Sequence, residues 1–380
     1  MFQIDNIDIS DKKGLNSKVY KTTITFDDIH NVPYVCILKI PEMGDFKALT
    51  DKVSNAEISS GEEPMDLNTV VKMHNREVLF LEQYSSDIKG LNFIQCFGTK
   101  EWKFGKEEGA ILMEYIDNER FYHVNFFEML TAEQAHAIMD QIIILQSHFY
   151  TLPDQSWKEK LPTVFTVNDF AMVKHYFLPN FENYKKLTDP KVWKDTETDI
   201  LALLSHYSEA GTYIDTTLPY QKDNECVFVK CDLGLNNFFF DKRSKDVALL
   251  DFQGAHCGSI GHDLADFLVT NCSLETRKSL EKAFPQFYEK LKNEIESKGC
   301  SLKISYEKFI ENYEVNLIVR ALTKCMILEL YYALNDPPQG SVDGYLDEKK
   351  KDQAFYMISA LNDAVEAARK YKPEWLIMKE

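Results

Sequence analysis

The sequence predicts an α+β fold in two lobes, a small sheet with one helix followed by a mainly helical part. Three observations lead there. At 380 residues the chain is longer than one compact core commonly supports. Strand-like runs and one helical pattern crowd the first 115 residues. From residue 116 onward helical patterns dominate, and one stretch, Val229 to Gln253, is the only clear β element. The expected lobes are therefore residues 1–115 and 116–380.

The elements follow in chain order. K-V-Y-K-T-T-I-T-F, Lys18 to Phe26, is rich in β-branched and aromatic residues and reads as a strand. A polar turn, D-D-I-H-N, leads to a second strand, Y-V-C-I-L-K-I-P, which Pro41 ends. The polar segment from about Asp45 to Asp66 reads as a loop. A helix is expected around N-T-V-V-K-M-H-N-R-E-V-L-F-L-E-Q-Y, with Val70, Met73, Val78 and Leu81 on one face. F-I-Q-C-F-G and G-A-I-L-M-E-Y-I complete the first lobe as strands. Thr131 and Gln134 form a T-x-x-Q capping box ahead of an apolar helix through Ile138, Ile142 and Leu145. Further helices are expected at T-E-T-D-I-L-A-L-L-S-H-Y, at S-L-E-K-A-F-P-Q-F-Y-E-K-L, and along most of Tyr306 to Tyr371.

Composition narrows the function classes. A net charge of −17 argues against a general nucleic-acid binder and against attraction to anionic membranes. The first residues lack a basic segment before an apolar core, so no signal peptide is read. In the most apolar segment, Asn316 to Ala333, Arg320, Lys324 and Glu329 recur at helical spacing, as in a core helix. Eight cysteines without framework spacing fit reduced thiols, and the expected compartment is cytoplasmic. Oligomeric state is not readable. H-E-x-x-H, G-x-S-x-G and G-x-x-x-x-G-K-[ST] are all absent.

The chemistry concentrates in V-K-C-D-L-G-L-N-N-F-F-F-D-K-R-S-K-D-V-A-L-L-D-F-Q. Asn237 opens an apolar run, D-K-R-S-K-D turns, and V-A-L-L returns to Asp251. Such a hairpin brings a carboxylate and an amide oxygen together, two hard donors of the kind Mg²⁺ prefers. Asp232 remains to accept a proton from a substrate hydroxyl. Upstream, Lys39 ends the second strand and Glu77 lies in the first helix, behind a small-residue turn holding Gly14 and Ser17. Singly, these charges are most simply solvated surface residues. Together, in this chain order, they fit a lysine held by a glutamate against nucleotide phosphates.

G-L-N-S-K-V-Y-K, V-C-I-L-K-I-P, H-N-R-E-V-L-F, I-L-M-E-Y-I, C-D-L-G-L-N-N-F-F-F, L-L-D-F-Q-G-A-H-C-G and G-H-D-L-A-D-F-L together resemble the nematode and insect CHK kinase-like (ecdysteroid kinase-like) family. That family is related to choline kinases and aminoglycoside phosphotransferases. The resemblance implies a protein-kinase-like fold and an ATP- and Mg²⁺-dependent phosphotransferase acting on the hydroxyl of a small molecule. It implies Asp232 as catalytic base, Asn237 and Asp251 on the metal, and Lys39 on the α/β-phosphates with Glu77 as partner. It places the Gly14–Ser17 turn over the phosphates, and backbone groups of Glu114, Tyr115 and Ile116 at the adenine. Gly258 and Asp263 match a segment that looks structural.

The chain departs from the family at Lys230-Cys231, where His-Gly is usual, and at Gly234, where Trp is common. Cys231 fits if its φ is negative. An ion pair from Lys230 to Asp232 would instead favour the alternative, a catalytically impaired pseudokinase serving as a nucleotide-binding or regulatory module. Cys226, Cys231, His256, Cys257 and His262 also cluster here, but their spacing is not that of structural zinc.

Overall fold

The computed structural model describes residues 2–10, 16–27, 32–42, 67–163, 173–208, 226–334 and 336–378. Gly14, most of the D-D-I-H-N turn and the expected 45–66 loop lie outside the described residues.

The first lobe is a five-stranded antiparallel sheet carrying one helix. Its strands are β1 (Phe2–Asp8), β2 (Ser17–Phe26), β3 (Tyr34–Pro41), β4 (Cys96–Lys100) and β5 (Ala110–Glu114), in the order β1-β2-β3-β5-β4. The β-branched run of β2 pairs with β3 from Ser17↔Pro41 to Ile24↔Tyr34, so Val19 faces Lys39. Helix α1 (Leu67–Gln83) buries Val70, Met73 and Val78 as its periodicity requires, and buries Arg76 and Glu77 as well. Strand β1 carries no strong strand pattern of its own and pairs along its whole length with β2.

The second lobe is mainly helical: α2 (Ala132–Thr151), α3 (Trp157–Lys160), α4 (Val173–Leu187), α5 (Glu197–Ser208), α6 (His262–Asn271), α7 (Leu274–Lys282), α8 (Phe284–Ser297), α9 (Tyr306–Leu334) and α10 (Tyr345–Tyr371). The capping box of α2 forms as expected, with Gln134 N–H donating to Thr131 Oγ1 (3.2 Å) and Thr131 N–H to Gln134 Oε1 (2.9 Å). The helix expected across S-L-E-K-A-F-P-Q-F-Y-E-K-L is two helices, because Pro285 belongs in a first turn and not in a helix interior. The apolar Asn316–Ala333 segment lies within α9, which packs on α6 and α10. No described helix is long and apolar enough to cross a membrane. This is the α+β architecture expected from the sequence, a small sheet with one helix followed by a mainly helical part.

Five short strands sit where the lobes meet. Strands β8 (Phe238–Asp241) and β9 (Val247–Leu249) form the expected hairpin, with β6 (Phe121–Tyr122) added beside β8. Strand β7 (Val227–Val229) pairs antiparallel with β10 (His256–Gly258). β6 and β10 correct the reading of a single β stretch; at two and three residues they are too short to show a period. A column of rings binds the lobes: Phe80 of α1 stacks on Phe252 (3.9 Å between centroids), and Phe149 of α2 stacks on Phe228 of β7 (4.1 Å). Phe80 and Phe228 close the column at 5.7 Å.

Helix α6 seats against α9 through Gly261. A Cβ there would lie 2.4 Å from Tyr313 N and 2.5 Å from Tyr313 Cα, both backbone atoms that cannot give way cheaply. We expect Gly261→Ala to destabilise the protein by about 1–3 kcal/mol, read by urea denaturation. Unchanged stability would contradict this packing.

Candidate active site

The pairing His256↔Val229 puts the loop leaving β7 and the loop entering β10 at one end of that ribbon. The β8–β9 hairpin closes the other side, where Leu250 N–H donates to Asn237 O (3.1 Å). Residues 230–237 and 250–255 are thus clamped between two antiparallel pairs. The hairpin carries Asp251 back next to Asn237 as its pattern required, and Asp232 is joined to Asn237 by the amide of its side chain.

At the first-lobe edge of this cleft, Lys39 Nζ lies 2.7 Å from Glu77 Oε2 and 3.4 Å from Asp251 Oδ1. The neighbours are 38 and 212 residues away in sequence. Neither Lys39 nor Glu77 is a solvated surface charge: their side chains are 14% and 5% exposed. Burial works against the Lys39 charge, but Asp251 and Glu77 outweigh it and its pKa is raised. Ser17 opens β2 opposite Pro41, two residues from the Val19–Lys39 pair, so it stands at the same end of the sheet. Glu114 ends β5, and Tyr115 and Ile116 follow it. The Glu114 N–H is already bonded to Gln95 O (2.8 Å). Leu81, Phe93, Met113 and Leu249 with Glu77 and Asp251 line a narrow cleft between these parts.

In the second lobe, Asn237 Nδ2 donates to Asp232 O (2.9 Å) and to Asp232 Oδ2 (3.2 Å). Burial raises the pKa of Asp232; Lys324 opposes that shift and the nearby Asp251 charge adds to it. A raised carboxylate is a stronger base toward a hydroxyl. Cys231, Asp232 and Asp251 have φ of 61°, 48° and 60°, so the negative φ that would have suited Cys231 is not what the loop adopts. Left-handed backbone at non-glycine residues costs roughly 1–3 kcal/mol each and persists only when the surroundings over-determine it.

Those surroundings were mostly missed in the sequence. Asp263 accepts from Lys230 N–H and Cys231 N–H (2.9 Å each), and Asp266 accepts from Leu233 N–H (2.8 Å). Asn271 Nδ2 donates to Leu233 O (2.6 Å). The structural reading of Asp263 is thereby explained. Burial opposes ionised Asp266, but Lys324 and Arg320, at 3.9 and 3.7 Å, outweigh it and lower its pKa. The signal was present in G-H-D-L-A-D-F-L: two acids three residues apart in an apolar helix seldom face solvent. Arg76 was also overlooked. Its guanidinium donates to Pro162 O (2.5 Å) and Ala255 O (2.6 Å), tying α1 to the second lobe. It shares a helix face with buried Met73 and Phe80, and that phase was the available clue.

Lys230 is fully buried, and among the described residues no carboxylate lies within ion-pair distance of its ammonium. It donates to Asp251 O (2.9 Å), with Cys231 O and Asp232 O each at 3.5 Å.

The donor set fits Mg²⁺. With the Asn237 amide nitrogen bonded to Asp232, its oxygen is left as a hard donor, and Asp251, 22% exposed, follows Leu250, whose N–H bonds Asn237 O. Two protein oxygens suffice where phosphates and water supply the rest. The Cys/His group is arranged otherwise. Cys226 hydrogen-bonds to Cys257, and His256 packs edge-on against His262 at 5.0 Å. No three His, Cys, Asp or Glu among the described residues are placed to hold a metal ion.

His256 donates through Nδ1–H to Gly254 O (2.9 Å), and burial pulls its pKa down to about 4. The unfolded chain, with His near 6.5, therefore binds more protons between those values. Its contribution is fully present above pH 6.5 and is lost as pH falls toward 4, by about 3 kcal/mol. We expect His256→Gln to flatten the stability–pH curve in that window, measured by urea titration from pH 4.5 to 7. An unchanged slope would contradict the assignment.

The chain is 27% identical over 327 residues to the Caenorhabditis elegans protein named "Uncharacterized oxidoreductase dhs-27". That match takes in 81% of this chain and only 37% of the relative's length. Among solved structures, a Plasmodium vivax ethanolamine kinase is 13% identical over 95% of this chain and 82% of its own, with a TM-score of 0.36. A Streptococcus pneumoniae choline kinase is 13% identical over 94% of this chain and 93% of its own, at 0.37. An amicoumacin kinase, solved with AMP-PNP and Ca²⁺, is 11% identical over 93% of this chain and 88% of its own, at 0.43. The family model described as "Uncharacterized oxidoreductase dhs-27" matches residues 4–372, and the chain belongs to that family, DUF1679.

Proposed function

We propose that this protein is an ATP- and Mg²⁺-dependent phosphotransferase that moves the γ-phosphoryl group to a hydroxyl of a small molecule, as in the CHK kinase-like proteins it resembles. The observation that carries the reading is the meeting of Lys39, Glu77 and Asp251 around one ammonium, with Asp232 and Asn237 on the adjoining loop. Phosphoryl transfer needs little covalent help from protein; it needs positioned reactants and compensated charge.

In this reading the lobes of residues 1–115 and 116–380 close over the nucleotide. Lys39, held by Glu77, bears on the α/β-phosphates, and the Gly14–Ser17 turn covers them. Backbone groups of Glu114 to Ile116 meet the adenine. Asn237 and Asp251 hold Mg²⁺, which neutralises phosphate charge when bound. Asp232 orients the acceptor hydroxyl and takes its proton, and Asn237 Nδ2 on Oδ2 fixes which carboxylate oxygen faces that hydroxyl. Gly234, where relatives commonly have Trp, widens the acceptor side. The eight unpaired thiols fit a reducing, cytoplasmic setting.

Two alternatives are weaker. The pseudokinase reading rested on Lys230 pairing with Asp232, whereas its ammonium contacts backbone carbonyls. The oxidoreductase in the relative's name belongs to a protein of which this chain spans 37%. This sequence has no G-x-G-x-x-G, and the strands of every described sheet pair antiparallel, unlike a dinucleotide-binding βαβ array.

The test is Mg²⁺-dependent ATP turnover against a panel of hydroxylated small molecules. We expect Asp232→Asn to lower kcat by about 10²- to 10⁴-fold while ATP still binds. Asp251→Ala should abolish the Mg²⁺ dependence. Absence of ATP binding by the unaltered protein would overturn the proposal.

A further inference from the structure

The three backbone carbonyls around the Lys230 ammonium belong to Cys231, Asp232 and Asp251. These are three of the four non-glycine residues with positive φ among the described residues. Left-handed backbone reorients the peptide plane, and at these positions the oxygens turn toward one interior point. A buried cluster of carbonyl dipoles is unfavourable unless a donor satisfies it. The Lys230 side chain is wholly excluded from solvent, and the ring of Phe252 lies 5.3 Å from its nitrogen.

We infer that Lys230 is a positioning residue that locks the loop bearing Asp232 to the loop bearing Asp251 by filling this carbonyl cage. The inference rests on the phosphotransferase reading for its functional meaning, though the cage itself does not. An ammonium suits the cage because it offers three donors and no acceptor on a compact head. Its main-chain N–H is fixed by Asp263, so the residue is anchored at both ends. Lys230 touches neither carboxylate directly. It acts on the backbone from which both project, as an outer partner sets the direction of a metal ligand. The residue that departs from the related kinases is thus a brace.

The experiment compares the unaltered protein with Lys230→Met, which keeps the volume, and Lys230→Ala, which leaves space for propylammonium. Hydrogen exchange without any ligand is read at residues 231–233 and 251–255. Mg²⁺ is then titrated in the presence of ATP. We expect both variants to lose protection in both loops together and to need about 10- to 100-fold more Mg²⁺. ATP binding without metal should be retained. Propylammonium, but not propanol, should restore protection and Mg²⁺ response in Lys230→Ala.

Native-like protection and Mg²⁺ response in Lys230→Met would overturn the inference, as would equal rescue by propanol. Loss of folding in both variants, seen in thermal melts, would overturn it too, because the lysine would then serve stability alone. If the unaltered protein shows no Mg²⁺-dependent ATP binding, the phosphotransferase reading fails, while the exchange data still decide the role of Lys230.

Discussion

The structure turns on one ammonium. Lys39 Nζ is the point where a strand, a helix and a loop of the other lobe meet, 2.7 Å from Glu77 and 3.4 Å from Asp251. A half-closed cleft makes such a contact stronger than a surface ion pair, and it also makes any missing partner costly. Everything nearby serves to hold the three parts in reach. Arg76, next to Glu77, reaches two carbonyls of the second lobe, and Phe80, one turn on, stacks on Phe252, next to Asp251. One helix therefore delivers an acid, a cation and a ring to the same boundary.

The second lobe meets the opposite problem, a loop whose backbone is strained and whose polar groups are buried. Asp263 and Asp266 act there as acceptors for main-chain N–H groups, and each is almost wholly buried. Burial lifts Asp263 to about 6 despite its two N–H bonds, so this support is held at some cost. Arg320 and Lys324 of α9 offset the second carboxylate. The departures at Lys230 and Cys231 sit within this reinforced region. Cys231 tolerates φ of 61° because Asp263 pins its N–H and the neighbouring Gly254 leaves it room.

Much of this was legible in the sequence, for physical reasons. Runs rich in β-branched and aromatic residues marked β2 and β3, and the phase of Val70, Met73 and Val78 marked α1. The F-F-F and V-A-L-L runs around a polar turn marked the hairpin that joins Asn237 to Asp251. The pairing of Lys39 with Glu77 required only chain order. What stayed hidden depends on tertiary contacts. β10 has three residues and exists through its pairing with β7. The sign of φ at Cys231 is set by distant carboxylates, and the acceptors of Lys230 lie up to 21 residues away. Asp266 and Arg76 were readable as buried charges, but their partners were not.

The most direct test of the account is a crystal structure grown with Mg²⁺ and AMP-PNP. The account predicts phosphates against Lys39 and a metal bound by Asn237 and Asp251, with Asp232 open to the acceptor side. Nucleotide bound away from Lys39, or a metal held by other residues, would contradict it.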